Sequence, residues 1–355
     1  MQLKARLDSV DALRGLTVAA MLLVNDAGDW GHVYAPLEHA AWHGCTPTDL
    51  IFPFFLFIVG VSLALSLGPR IDAGGDHASM RRTVLVRALR IIMLGLVLHA
   101  VAHWLMDTRA FRPFGVLQRI GLCFAVAGLL AIETRPRTQW AAFAAILLGY
   151  WALLSWGGPL SKEGNLASRI DTALLGRFAY EFDAATGLGH EPEGLLSTLP
   201  AIATTLLGVR AGDWLRRGQR SRLWQLGAAA LLAGWVWSWL LPFNKQLWTS
   251  SYVLWSGGWA MLVLLAAHEL IDRRGWPALG RSFGVNAIAA YAGAWLMVCV
   301  LEGLHWGRPL YRVAFEWMAP ITGAYVPSLV YALAFVGVWW GVVVLLDRRK
   351  LYFKI

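Results

Sequence analysis

The chain is written in long blocks that are apolar all round, separated by short segments that hold most of the charge. Amphipathic stripes are scarce. A membrane-spanning helix needs roughly 20 mostly apolar residues. That ruler marks ten intervals: 10–30, 49–68, 84–106, 113–132, 138–156, 198–216, 222–242, 249–271, 283–304 and 326–346. The first is the weakest, because Arg14, Asn25 and Asp26 shorten its apolar stretch. Pro113, Pro136, Pro200, Pro242, Pro277, Pro320 and Pro327 fall near interval ends, where a missing amide costs little. Pro53 falls inside the second interval and predicts a bend there. No internal repeat is visible. The pattern predicts an all-α integral membrane protein with about ten transmembrane helices in a single membrane domain.

Composition agrees. Of 355 residues, 57% are hydrophobic and 15% charged, against about 25% charged in a typical soluble domain. Disorder, a coiled coil and an ordinary soluble enzyme are excluded. The net charge of +9 sits in short loops between apolar runs, which points to a lipid surface rather than nucleic acid. With the N-terminus in the cytoplasm, the cytoplasmic segments hold 22 Lys and Arg and the opposite segments 8, so the expected orientation is N-in, C-in. The N-terminus lacks the features of a cleaved signal peptide: Asp8, Asp11 and Arg14 interrupt it and no small-residue cleavage site follows. Cys45, Cys123 and Cys299 are too dispersed for a disulfide framework or a thiolate metal site.

Ionisable groups at membrane depth are functional candidates by default. The stretch from the end of the first helix to the start of the second offers Asn25, Asp26, His32, His39, His43 and Asp49. Together they provide an imidazole base, a carboxylate to orient it and an amide for developing charge. Structural readings stand beside each. Asp49 with Thr46 fits a capping box, and a loop histidine is commonly solvated. His39 and His43, or His99 and His103, have the i, i+4 spacing of metal ligands, but no HExxH or third carboxylate accompanies them, and no metal is expected. Arg119 lies about six residues, or ~9 Å, inside the fourth helix beside Gln118, and either snorkels or meets an anion. Asn286 either joins helices or lines a path. Asn244, Lys245, Glu191 and Glu193 either anchor at the interface or bind an external polar group.

At these residues the chain resembles the heparan-α-glucosaminide N-acetyltransferase family, including its shorter bacterial relatives. The matching stretches are SVDALRG (9–15), VND (24–26), HAAWHGCTPTDLIFPFFLFIVG (39–60), GVLQRIGLCF (115–124), EPEGLLSTLPAIATTLLGVRAG (191–212), NKQLWTSSYV (244–253) and the terminal LYFKI. They fall in family order along nearly the whole sequence. The resemblance implies a membrane enzyme that takes acetyl from cytosolic acetyl-CoA to the amino group of a terminal glucosamine across the bilayer. It puts the catalytic His at His39, with Asn25 and Asp49 beside it, while His43 stands where animal members carry Asn; His39 would serve either as general base or as a nucleophile that forms an acetyl-His intermediate. Arg119, Gln118 and Asn286 are the expected lining of the coenzyme path, and Glu193, Asn244 and Lys245 the expected acceptor contacts. The animal enzymes' extra N-terminal region has no counterpart, which implies a multi-pass protein of a bacterial inner membrane. The family also suggests a homodimer. Two other classes fit the same polar residues: an amino-sugar transporter, which would ignore acetyl-CoA, and an O-acyltransferase acting on an envelope glycan.

Overall fold

In the computed structural model, residues 7–106 and 110–353 are described. Lys4, Arg6, Arg109 and the last two residues of LYFKI, all counted or matched above, lie outside them. The described chain is helical almost throughout: α1 (Asp8–Asn25), α2 (Ile51–Asp72), α3 (His77–Leu105), α4 (Val116–Glu133), α5 (Pro136–Trp156), α6 (Leu166–Leu175), α7 (Leu195–Arg216), α8 (Arg220–Trp237), α9 (Ser250–Ala267), α10 (Arg281–Val285), α11 (Ala287–Gly303), α12 (Gly307–Ala314), α13 (Ala319–Thr322) and α14 (Tyr325–Arg348). One small antiparallel hairpin, β1 (Glu181–Asp183) and β2 (Leu188–His190), lies between α6 and α7.

Each of the ten marked intervals holds a helix, yet fewer meet the length and hydropathy of a span. Seven do so among the described residues, and the pair α11 with α12–α13, bent by 92°, brings the total to eight at most. The multi-pass membrane class holds; a count of ten spans does not follow from the helices alone. Two of the ten intervals fall short for a visible reason. Helix α1 carries Asp8, Asp11 and Arg14, and α8 opens on Arg220 and Arg222. In α1 two of those charges are satisfied inside the protein: Arg14 pairs with Asp11, and its Nε donates to the Gly284 carbonyl at 2.7 Å, while Asp8 is exposed and faces Arg281.

Helix α7 is the centre of the bundle, with 83% of its most apolar window buried, against 17% for the peripheral α14. Its packing on α2 depends on missing side chains. A Cβ on Gly60 would stand 2.0 Å from the Thr205 carbonyl, and one on Gly208 2.0 Å from that of Phe57. Close backbone approach of this kind is how helices gain van der Waals contact where lipid supplies no hydrophobic drive. The principal core joins α1 to α5 and α7 to α9, and a smaller cluster ties α1 to α10, α11 and α14.

Pro53 does not divide α2. It occupies the first turn, and α2 runs unbroken from Ile51 to Asp72. A proline without N–H leaves the carbonyl four residues earlier without its helical partner. That carbonyl belongs to Asp49, and the Tyr252 hydroxyl of α9 donates to it at 2.5 Å.

Candidate active site

The loop between α1 and α2 is pulled together by one carboxylate. Thr46 and Asp49 form the capping box expected from their spacing: the Thr46 N–H donates to Asp49 Oδ2 at 2.9 Å, and the Asp49 N–H reaches Thr46 Oγ1 at 3.4 Å. The Ala40 N–H donates to the same Oδ2 at 3.1 Å. The other oxygen, Oδ1, accepts from His39 Nδ1 at 2.7 Å. Capping and histidine-orienting are therefore two halves of one side chain. The Asp49 side chain is 1% exposed and that of His39 44% exposed. A carboxylate accepting at Nδ1 fixes the proton there and leaves the Nε2 lone pair open.

Lys245 lies against the same ring, its Nζ 3.0 Å from His39 Nε2 and 3.3 Å from Nδ1. The turn that carries it is tightly made. Asn244 Oδ1 accepts from the Leu247 N–H at 2.8 Å, Phe243 accepts from the Gly44 N–H at 2.7 Å, and Asn244 Nδ2 stands 3.4 Å from His43 Nδ1. Trp248 closes the turn at φ 54°, a left-handed conformation that is rare for a bulky residue. Its buried indole is fixed by a bond to Thr204 Oγ1 at 3.0 Å and by edge contacts with Phe52 and Tyr252. Burial lowers the proton affinity of Lys245 against the opposing pull of Glu193 and Asp49. Burial also lowers that of His43 and pushes the Cys45 thiol up to about 12.

Behind Lys245 lies a second charged group. Arg112 binds Glu191 and Glu193 together, and its Nε donates to Glu191 Oε2 at 2.9 Å. The guanidinium lies over the Tyr180 ring, 4.4 Å from its centre. Burial pushes Glu191 above the ordinary carboxylate range; burial acts on Glu193 too, but Arg112, Arg119 and Lys245 prevail and hold it low. Arg119 is fully buried, bonded to Ser197 and to the Gly194 carbonyl at 3.3 Å, and lies 5.3 Å from the Trp248 ring. It does not snorkel, and its Nε and Nη1 have no hydrogen-bond partner among the described residues.

A cavity of about 400 Å³ opens on the other side of this layer. Phe55, Val59, Ser62 and Ser66 line it as one stripe of α2, a rise of ~16 Å. Arg14 of α1 and Arg87 of α3 also line it, with Leu117 and Ile120 of α4 and Ala287 and Ile288 of α11. Arg87 makes no ion pair among the described residues and lies 5.3 Å from the Phe124 ring centre. A narrow apolar slot sharing Phe55, Leu117 and Ile120 continues to Phe52, one helical turn from Asp49.

The expected site residues separate into groups. His39, Asp49, Lys245 and Asn244 meet, and Glu193 stands close behind them. Asn25 is the exposed last residue of α1, with no hydrogen bond to His39 or Asp49. Gln118 and Asn286 are buried with both amide atoms unpaired among the described residues, and neither lines the cavity. Their sequence neighbours Leu117, Val285 and Ala287 do. Arg112, Ser197, Trp248 and Tyr252 escape a sequence reading, as do Arg14 and Arg87 as cavity residues. The one available signal was Pro53, which requires an outside donor for the Asp49 carbonyl. Among the described residues no group of three or more His, Cys, Asp or Glu is arranged to hold a metal ion.

The structure is thus that of a multi-pass helical membrane protein in which a buried carboxylate binds a half-exposed histidine and an arginine-lined cavity runs along α2. The sequence model of the family described as heparan-alpha-glucosaminide N-acetyltransferase, catalytic, matches residues 6–240, and the chain belongs to that family. It is 26% identical to the heparan-alpha-glucosaminide N-acetyltransferases of Mus musculus, over 412 residues, and of Homo sapiens, over 415 residues. Each alignment covers 99% of this chain and 60% of the relative, so the chain spans about three-fifths of their length.

Proposed function

We propose that the chain is an acetyl-CoA-dependent acetyltransferase that acetylates the amino group of a glucosamine-type sugar at His39. The observation that carries this reading is the common stripe of α2: Asp49 holds His39 at one end, and the arginine-lined cavity follows the same helix to the other. Acetyl-CoA is a polyanion with a long, thin acyl arm. Arg14 and Arg87 suit its phosphates, Ser62 and Ser66 its polar groups, and the narrowing slot towards Phe52 its arm. The unpaired amides of Gln118 and Asn286, one residue from the lining, are potential partners for the arm's own amides after a small shift.

In this mechanism the acceptor amine attacks the thioester carbonyl, and His39 Nε2 takes the proton it releases. Asp49 holds the tautomer and stabilises the imidazolium. The cations at Lys245 and Arg119 favour negative charge developing on the carbonyl oxygen. The departing thiolate recovers the proton from His39. Asn25 remains a proposed contact on the open side, and Glu193 and Asn244 proposed acceptor contacts. We also read the ten intervals as ten crossings with both termini in the cytoplasm of an inner membrane, supported by the 22-to-8 distribution of basic residues.

The test is acetyl-CoA binding and transfer to glucosamine by detergent-purified protein, beside Val59→Trp, which fills the cavity without touching His39. Wild-type binding and transfer, both lost in a folded Val59→Trp, support the reading. Wild type that ignores acetyl-CoA yet binds the sugar moves the carrier reading ahead. Acetylation at hydroxyl groups alone assigns an O-acyltransferase.

A further inference from the structure

Lysine is rare in this chain: five of its 31 basic residues are Lys, at positions 4, 162, 245, 350 and 354. One of the five, Lys245, is held with its amine 3.0 Å from the open nitrogen of the histidine. Lys162 is engaged by Glu181, and Lys350 is an exposed residue past α14. An arginine at 245 would supply the same charge to Asp49 and Glu193 without offering a nucleophile, since a guanidinium stays protonated. The position is instead filled by a primary amine, the functional group that the acceptor brings. It also lies within 3.3 Å of both nitrogens of the base, near enough for its flexible stem to bring the amine in line with Nε2.

We infer that Lys245 is an internal acceptor: with no sugar bound, the enzyme transfers acetyl to Lys245 Nζ and so modifies its own site. This inference rests on the acetyltransferase reading above. The Lys245 ammonium gives a proton to His39 Nε2. The neutral amine attacks the thioester carbonyl, a C–N bond forms and the C–S bond breaks. A second proton leaves the nitrogen as the amide forms; one goes to the thiolate, giving free CoA–SH, and the other to solvent, so His39 ends neutral. The product, Nε-acetyl-Lys245, has lost its charge and fills the acceptor's place against His39. Donor without acceptor therefore switches the enzyme off, and bound sugar protects it. The burial that lowers the proton affinity of Lys245 favours the step.

The experiment uses the full chain in detergent with isotopically labelled acetyl-CoA and no sugar, followed by peptide mass mapping of all five lysines. The expected result is one acetyl group per chain at Lys245, at least tenfold above Lys162 and Lys350. Labelling should fall at least tenfold in His39→Gln and in wild type pre-incubated with saturating glucosamine. Glucosamine turnover should decline in step with the label. The sugar-protection arm uses unmodified protein, so it reads out even where the histidine variant folds poorly. Sugar acetylation with Lys245 unlabelled overturns the inference and leaves the acetyltransferase reading standing. Equal labelling in a folded His39→Gln and in sugar-protected wild type marks plain chemical acetylation and also overturns it. Neither label nor sugar product overturns the acetyltransferase reading itself.

Discussion

His39 Nδ1 and Asp49 Oδ1 stand 2.7 Å apart, and this contact decides which imidazole nitrogen is open for chemistry. The carboxylate is fixed by two further donors, the backbone amides of Ala40 and Thr46, so it cannot follow the ring if the ring turns. The ring is therefore held with Nδ1 on the carboxylate and Nε2 free of it.

Removal of either partner has a different expected signature. His39→Ala removes a half-exposed ring, so acetyl transfer should fall by ~10²–10⁴ while the melting temperature moves little. Asp49→Asn replaces an acceptor-only group that faces three donors, so either one of them loses its bond or His39 is forced into the tautomer with its proton on Nε2. Turnover should fall by a similar factor, with ~1–3 kcal/mol of stability lost as well. Transfer assays beside thermal melts in detergent check both; a destabilised His39→Ala with full activity would reverse the roles.

Arg112 tests the buried carboxylate pair. Arg112→Ala strands Glu191 and Glu193 in a buried cluster, and breaking one side of such a group costs ~3–5 kcal/mol. Arg81 also pairs with a carboxylate, Glu133, but both side chains are exposed, so Arg81→Ala should cost ~0–1 kcal/mol. Detergent melts of the two variants side by side give the comparison. Equal shifts would mean that the Arg112 cluster is well solvated.

The α2–α7 seam has no room for a methyl group. Gly60→Ala sets a Cβ about one bond length beyond tolerance against the Thr205 carbonyl, and overpacking of this kind costs ~1–3 kcal/mol or more. Gly149→Ala, with nothing within 4 Å of the new Cβ, is the matched control inside α5 and should raise the melt slightly, by about 0.5–1 kcal/mol in stability. The seam also carries Asp49 at one end of α2, so Gly60→Ala should lower activity together with stability.

Asp171 gives a pH dependence with a definite sign. Burial raises its carboxyl to about 6, although the Leu195 N–H donates to Oδ1 at 2.9 Å. A carboxyl raised on folding binds more protons in the native state, so stability falls as pH rises from about 4 to about 6 and is level above. Asp171→Asn keeps the acceptor for Leu195 and removes the buried charge. It should raise the melting temperature at pH 7.5, by on the order of 2–3 kcal/mol in stability, and the gain should vanish below pH 4. A gain that persists at pH 4 would point to packing instead of charge.

Much of the molecule is legible in the sequence because its governing constraint is one-dimensional. A segment that enters lipid must satisfy its own backbone, so apolar length alone marks helices, and the ten intervals each hold one. The Thr46–Asp49 spacing likewise announces its capping box, because that motif closes within four residues. The sequence by itself therefore determined the membrane class and the helix intervals, while the family resemblance singled out His39 and Asp49 from the six polar candidates of one loop. Tertiary structure alone decided the rest. Lys245 reaches His39 across 206 positions, and Tyr252 finds the Asp49 carbonyl across 203. Arg112 meets Glu191 and Glu193 from the far side of α4 and α5. The cavity exists because six helices leave a gap between them, and in a membrane helix hydropathy does not distinguish a face towards lipid from a face towards a partner.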